Sequence, residues 1–164
     1  MGSTRLPGKV MKEVLGKTML EHLILRLRRC GSFRDIVIAT TINPEDEKIA
    51  QAAEALGVPV FRGSEDDVLD RYYQAAEKFG ADVVLRITSD CPLHDPSVVD
   101  RVVDFYVKNA DRYDYVSNVR PPTYPDGMDV EIFSFATLER MFKEAQLPSE
   151  HEHVTAYLGN HMDS

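Results

Sequence analysis

Apolar and polar positions alternate in two rhythms along this chain. Leu20, Leu23, Ile24 and Leu27 recur at three- and four-residue spacing, the stripe of an amphipathic helix. Thr18 and Glu21 form a T-x-x-E capping box ahead of it, and Gly31 follows its end. The next segment changes rhythm. Ile36, Val37 and Ile38 are continuous, as in a strand buried on both faces, and predict a strand over 35–40. Asn43-Pro44 then opens a second helix with Pro at its first position, ending at Leu56-Gly57.

The alternation continues to the end. A strand is predicted over 58–61. Ser64 is expected to cap a third helix, whose inward face is Val68, Leu69, Tyr72, Ala76 and Phe79. A strand over 82–88 follows, apolar except at Arg86 and the polar residues at its ends. Asp95-Pro96 starts a fourth helix that buries Val99, Val102, Val103 and Tyr106. Strands over 113–117 and 130–133 flank a loop over 120–127, which holds three prolines and the turn Pro125-Asp126-Gly127. Ser134 caps a helix to about Ala145, and Ser149 with Glu152 predicts one last helix to about Gly159. Strands alternating with helices imply a mostly parallel sheet covered on both faces, whose ligands bind beyond the carboxyl ends of the strands.

Composition narrows the function. The 164 residues fit a single domain spanning 1–164, and at 43% hydrophobic they support a real core. The net charge of −8 divides unevenly. Residues 1–35 carry eight Lys/Arg against three Asp/Glu, and the remainder is strongly acidic. A basic amino-terminal lobe on an acidic body suits a small anionic ligand rather than nucleic acid. Cys30 and Cys91 make neither a disulfide framework nor a zinc pattern. No apolar run reaches membrane-spanning length, so a cytoplasmic protein without a membrane partner is expected.

Four segments carry candidate chemistry. Gly2 to Lys9 collects two glycines, two hydroxyls, Arg5 and Lys9, a composition that suits a loop around a polyphosphate. It lacks the spacing of a Walker loop. Asp90, in Thr88-Ser89-Asp90-Cys91-Pro92, follows an apolar strand; it either holds magnesium against substrate phosphates or caps the turn before Pro92. Tyr124, Asp126, Asp129 and Glu131 concentrate polar groups at a loop–strand junction, for a cation, for sugar hydroxyls or simply for solvent. Glu150, His151 and His153 open the last helix. Their spacing argues against a paired metal site and for a single polar contact into the crevice.

Taken in order, MGSTRLPGKVMKEVLGKTMLEHLI, IVIATTINPEDEKI, VFRGSEDDVLDRYYQAA, RITSDCPLHDP, TYPDGMDVEIFS and PSEHEHVTAYL resemble the cytidylyltransferases of the spore-coat polysaccharide (SpsF-like) group. These are relatives of the enzymes that activate sialic-type acids and 3-deoxy-manno-octulosonate. The resemblance covers essentially the whole chain. It implies a three-layer α/β/α, Rossmann-like fold of the nucleotide-diphospho-sugar transferase type. It also implies transfer of a cytidylyl group from CTP to a sugar or sugar-acid acceptor with magnesium, release of pyrophosphate, and a homodimer. Gly2, Ser3, Arg5, Lys9 and Ser89 match the nucleotide-binding positions. Arg5, Lys9 and Asp90 would be catalytic, with Asp90 the metal ligand. Tyr124, Asp126, Asp129, Glu131, Glu150 and His153 would face the acceptor. The family's first strand is expected ahead of Met1, and a second metal-ligating Asp beyond Ser164, so the resemblance implies a chain incomplete at both ends. His151 stands where the family usually has Arg. Two alternatives remain at this stage: a nucleotide-sugar glycosyltransferase, whose usual Asp-x-Asp is missing here, and a nucleotide-binding fragment without turnover.

Overall fold

A computed structural model describes residues 6–161. Helix α1, Met19–Leu27, begins as its capping box requires. Thr18 Oγ1 accepts from the Glu21 amide at 3.1 Å, and the Glu21 carboxylate accepts from the Thr18 amide at 2.7 Å. Just before it, β1 (Glu13–Val14) and β2 (Lys17–Thr18) form an antiparallel hairpin that the apolar pattern did not predict. Its two-residue turn places Leu15 (φ 51°) and Gly16 (φ 75°) in the left-handed region, the geometry of a tight hairpin turn. A leucine there is unusual, and it is 95% exposed.

Strands β3 (Ile38–Thr41) and β4 (Val60–Gly63) pair in parallel, with α2 (Glu47–Ala55) in the crossover between them. Helix α3, Val68–Phe79, starts later than expected. Asp67, not Ser64, is its N-cap and accepts from the Asp70 amide at 2.8 Å; Ser64 Oγ accepts from the Asp67 amide one turn earlier. Gly80 ends α3 at φ 64°. Strand β5 (Val83–Arg86) leads to α4 (Pro96–Lys108), which Asp95 caps and Pro96 begins. Strands β6 (Tyr115–Ser117) and β7 (Glu131–Ser134) are followed by α5 (Phe135–Glu144), which Ser134 caps.

The fold is α/β with helices on both sides of the strands, as expected. The pairing, however, is mixed rather than mostly parallel. The second sheet runs β5-β7-β6, and β7 is antiparallel to both neighbours. The reason is the connection. The segment between β6 and β7 contains no helix, so β7 returns beside β6 without the crossover that parallel pairing needs. The single final helix is also replaced by two, α6 (Pro148–Glu152) and α7 (Ala156–His161). His153 is extended between them and delivers Val154 into the core.

Three apolar clusters hold the layers together. On one face, Leu23 and Leu27 of α1 pack with Val99, Val102 and Tyr106 of α4 over Leu85 and Ile132. On the other, Leu69 of α3, Leu138 and Met141 of α5 and Tyr157 of α7 enclose Phe133 and Val84. Ile132 and Phe133 are neighbours in β7 and serve opposite faces, the two-residue period of a strand. Leu20 and Ile24 of α1 join Ile49 and Ala53 of α2 against Ile38 and Val60. Helix α1 thus covers both sheets with two halves of one apolar stripe, and α3 touches β3 and β4 as well as α5 and α6. The carboxyl ends of β3 and β5 are held at one edge of the molecule.

Candidate active site

A cavity of about 300 Å³ opens at that edge. Lys9 and Val10 line it from the amino-terminal loop, and Ala39, Thr40 and Thr41 from β3. Asp46 and Ile49 follow β3, Glu65 and Arg71 come from the β4–α3 connection and α3, and Ser89 and Asp90 from the turn after β5. This is where an open α/β sheet collects its ligands.

Lys9 and Asp90, far apart in the chain, meet here. Lys9 Nζ donates to Asp90 Oδ2 at 2.5 Å, and both side chains keep about a third of their surface in solvent. Burial works to raise the Asp90 pKa, but hydrogen bonds from Lys9 and Thr88 outweigh it and hold the carboxyl below its ordinary value. Asp90 is therefore an accessible anion, and Lys9 an accessible cation, at the cavity wall. Gly8, with φ 65°, ends the loop just before Lys9 and lets the short helical turn Lys9–Met11 begin there. Gly2, Ser3 and Arg5 lie outside the described residues.

Thr40, Thr41, Asp46 and Arg71 also line the cavity and were not singled out in the sequence. Asp46 is buried and accepts from Thr40 Oγ1 and Thr41 Oγ1 at 2.7 Å and from the Thr41 amide at 3.1 Å. Burial alone would raise its pKa; hydrogen bonds including these bring it down to about 2. Asp46 thereby orients Thr40 and Thr41 at the end of β3. Arg71 donates through Nη1 to the Ser64 carbonyl, and its buried Nε has no hydrogen-bond partner among the described residues. Gly63 makes room for it, since a Cβ there would come within 3.0 Å of Arg71 Cγ. The signal for these residues was the hydroxyl pair Thr40-Thr41 at a strand end, followed by an acid in the first helical turn.

The acceptor-side candidates separate. Tyr124, Asp126 and Asp129 stand on one loop, pinned by buried Asn118. That residue donates to the Met128 carbonyl at 2.7 Å and accepts from the Val130 amide at 2.8 Å. Gly127 (φ 86°) lies against Cys91, so the loop sits beside the Asp90 turn. Tyr124 turns its hydroxyl to Arg101 of α4. His153 is exposed at the end of α6. Glu131 and Glu150 point inward instead. Glu131 is 5% exposed and takes hydrogen bonds from Arg86, Tyr115 and Thr155. Glu150 accepts from the Gln146 and Leu147 amides at 3.0 and 3.1 Å, with Asn160 and His161 on its other oxygen. Those contacts lower its pKa to about 2. Both carboxylates are committed to partners inside the protein, and neither lines the cavity. His151 ties α6 to α3 through Asp67 at 2.8 Å.

The cytidylyltransferase family profile matches residues 1–163. The chain belongs to that family. A solved cytidylyltransferase from Leptospira borgpetersenii is 37% identical and superposes with a TM-score of 0.94, over 98% of this chain and 68% of that one. The spore coat polysaccharide biosynthesis protein SpsF of Bacillus subtilis is 32% identical over 98% of this chain and 67% of its own length. An uncharacterized protein of Methanocaldococcus jannaschii is 41% identical, over 96% of this chain and 63% of that protein. The chain thus spans about two thirds of these relatives, and the Lys9–Asp90 cavity belongs to a cytidylyltransferase fold.

Among the described residues, no cluster of three His, Cys, Asp or Glu is arranged to hold a metal, and no helix is long and apolar enough to cross a membrane. Asp90 fits magnesium in a more limited way. Magnesium commonly takes one or two carboxylates and completes its shell with phosphate oxygens and water. An ionised, part-exposed carboxylate facing a cavity meets that need.

Proposed function

We propose that this chain carries the nucleotide site of a CTP-dependent cytidylyltransferase that activates a sugar or sugar acid for polysaccharide synthesis. The observation that carries the reading is the Lys9–Asp90 pair at the mouth of the strand-end cavity. A lone ion pair half in solvent contributes little to stability. It does set a cation and an anion where a triphosphate and its counter-ion need them.

The reaction is displacement at phosphorus. An acceptor hydroxyl oxygen forms a bond to the α-phosphorus of CTP and gives up its proton to solvent, the α–β bridging bond breaks, and pyrophosphate leaves with its electron pair. Alignment and charge neutralisation supply most of what such a step needs. Lys9 exchanges Asp90 for phosphate oxygens when the nucleotide arrives, and Arg5 adds a second cation. Asp90, released from Lys9, would hold magnesium, which when bound would supply charge neutralisation at the phosphates. Ser89 and Arg71 present donors to the cavity, and Thr40 an acceptor oxygen. Tyr124, Asp126, Asp129 and His153 are the acceptor-side candidates, next to the Asp90 turn or beyond it. The protein acts in the cytoplasm as a homodimer.

The test is pyrophosphate release from CTP and magnesium in the presence of a panel of sugar acids, with UDP-sugars as the control donor. Release that needs CTP, an acceptor and an intact Asp90 supports the proposal. Turnover of a UDP-sugar without pyrophosphate would move the chain to the glycosyltransferases. CTP binding without product would leave a binding fragment.

A further inference from the structure

His94 takes no part in the proposed reaction, yet its side chain is 1% exposed between the two loops that carry Asp90 and Asp129. Nδ1 lies 2.8 Å from the Cys91 carbonyl oxygen, one residue past Asp90. Nε2 lies 3.0 Å from the carbonyl oxygen of Asp129 itself. From α1, Arg26 Nε donates to the backbone carbonyl of His94 at 2.7 Å. One residue therefore joins α1, the turn after β5 and the loop before β7. A backbone carbonyl only accepts, so each contact is a hydrogen bond where the ring nitrogen facing it carries the proton.

We infer that His94 is a positioning residue: its ring clasps the Asp90 turn to the Asp129 loop and so sets the distance between the nucleotide side and the acceptor side. The inference rests on the proposed function for what the two loops do, but the clasp is measurable without any turnover. Cys91 is the built-in reporter. Gly127 packs over its Sγ, with only 3.8 Å between that sulfur and a Cβ placed on the glycine, so the docked loop shields the thiol.

The experiment uses the full chain with Cys30→Ser, leaving Cys91 as the thiol to be alkylated by iodoacetamide. His94→Leu keeps bulk and removes both ring nitrogens. His94→Gln retains an amide with two N–H groups. The expected result is alkylation roughly tenfold faster in His94→Leu, the factor that follows from losing about one net hydrogen bond, and near-parental rates in His94→Gln. In the unsubstituted protein, long-range ¹H–¹⁵N spectra are expected to show a His94 ring N–H that exchanges slowly with solvent. A His94 ring with no slowly exchanging N–H would overturn the clasp, whether or not the leucine variant folds, and so would equal alkylation in a folded His94→Leu. On the activity side, His94→Leu is expected to raise the acceptor KM more than the CTP KM. A clasp confirmed by thiol and spectrum with no turnover from any form would count against the proposed function alone.

Discussion

Arg86→Leu tests whether Glu131 is a structural carboxylate or a ligand-binding one. Arg86 and Glu131 sit directly opposite each other in the β5–β7 ladder, and their side chains form an ion pair. Tyr115 and Thr155 each donate to Glu131 Oε1 at 2.7 Å, whereas Arg86, its partner in the ladder, serves Oε2. Glu131 is 5% exposed, so removing Arg86 leaves a buried carboxylate oxygen without a donor. Breaking a buried pair from one side costs about 3–5 kcal/mol. Arg86 keeps some contact with solvent, which argues for the lower end, about 3 kcal/mol. For a chain of this length that lowers the melting temperature by roughly 6–12 °C. The loss shrinks when both partners go. Arg86→Leu with Glu131→Leu removes the stranded charge along with its partner, and is expected to recover most of the loss because an apolar pair of similar volume replaces a buried ion pair at little net cost. Thermal unfolding by circular dichroism, with urea unfolding to check that the m-value is constant, measures all three. A fall below about 2 °C in Arg86→Leu, well under the range for a buried pair, would refute the reasoning. So would a double variant that is the sum of the two singles.

Asp46 and Glu150 both have folded pKa values lowered to about 2, below their unfolded values near the ordinary carboxylate range. The unfolded chain binds the extra protons, so their stabilisation is present above about pH 4.5 and is lost as pH falls toward 2; Asp46→Asn is expected to flatten the acid limb of a melting-temperature profile, and an unchanged slope would contradict it. Gly63→Ala places a methyl group 2.9 Å from Phe61 Cε1 and 3.0 Å from Arg71 Cγ. It is expected to displace Arg71 and weaken CTP binding several-fold while costing about 1–3 kcal/mol of stability, read by calorimetry and by urea unfolding; unchanged affinity would remove Arg71 from the site.

Much of the architecture was legible where a local rule acts alone. The Thr18–Glu21 box, the Asp95-Pro96 start and the Ser134 cap are each set by residues three apart or fewer, and all three form as read. The turn at Leu15-Gly16 was not legible, because leucine carries no signal for a left-handed backbone. The reversed strand β7 depended on noticing that the loop before it contains no helix. For the site, Lys9, Ser89 and Asp90 were readable as residue types at a strand end or in a glycine-rich loop. Glu131 and Glu150 could not be placed from the sequence. A carboxylate beside a loop looks like a ligand group, and only the tertiary partners Arg86, Tyr115, Thr155, Asn160 and His161 reveal that it is satisfied internally. Asp46 and Arg71 were overlooked because one resembled a helix-starting acid and the other a helix-surface cation.

The most direct test of the central claim is calorimetric titration of the protein with CTP, with and without magnesium, in three forms: unsubstituted, Lys9→Ala and Asp90→Asn. The account predicts magnesium-enhanced CTP binding in the unsubstituted protein. Lys9→Ala should weaken it roughly 10- to 100-fold, the worth of one charge-assisted hydrogen bond to phosphate, while Asp90→Asn should bind CTP with no response to magnesium. CTP affinity that is the same in all three forms, or no CTP binding by the unsubstituted protein, would contradict the assignment of this cavity as the nucleotide site.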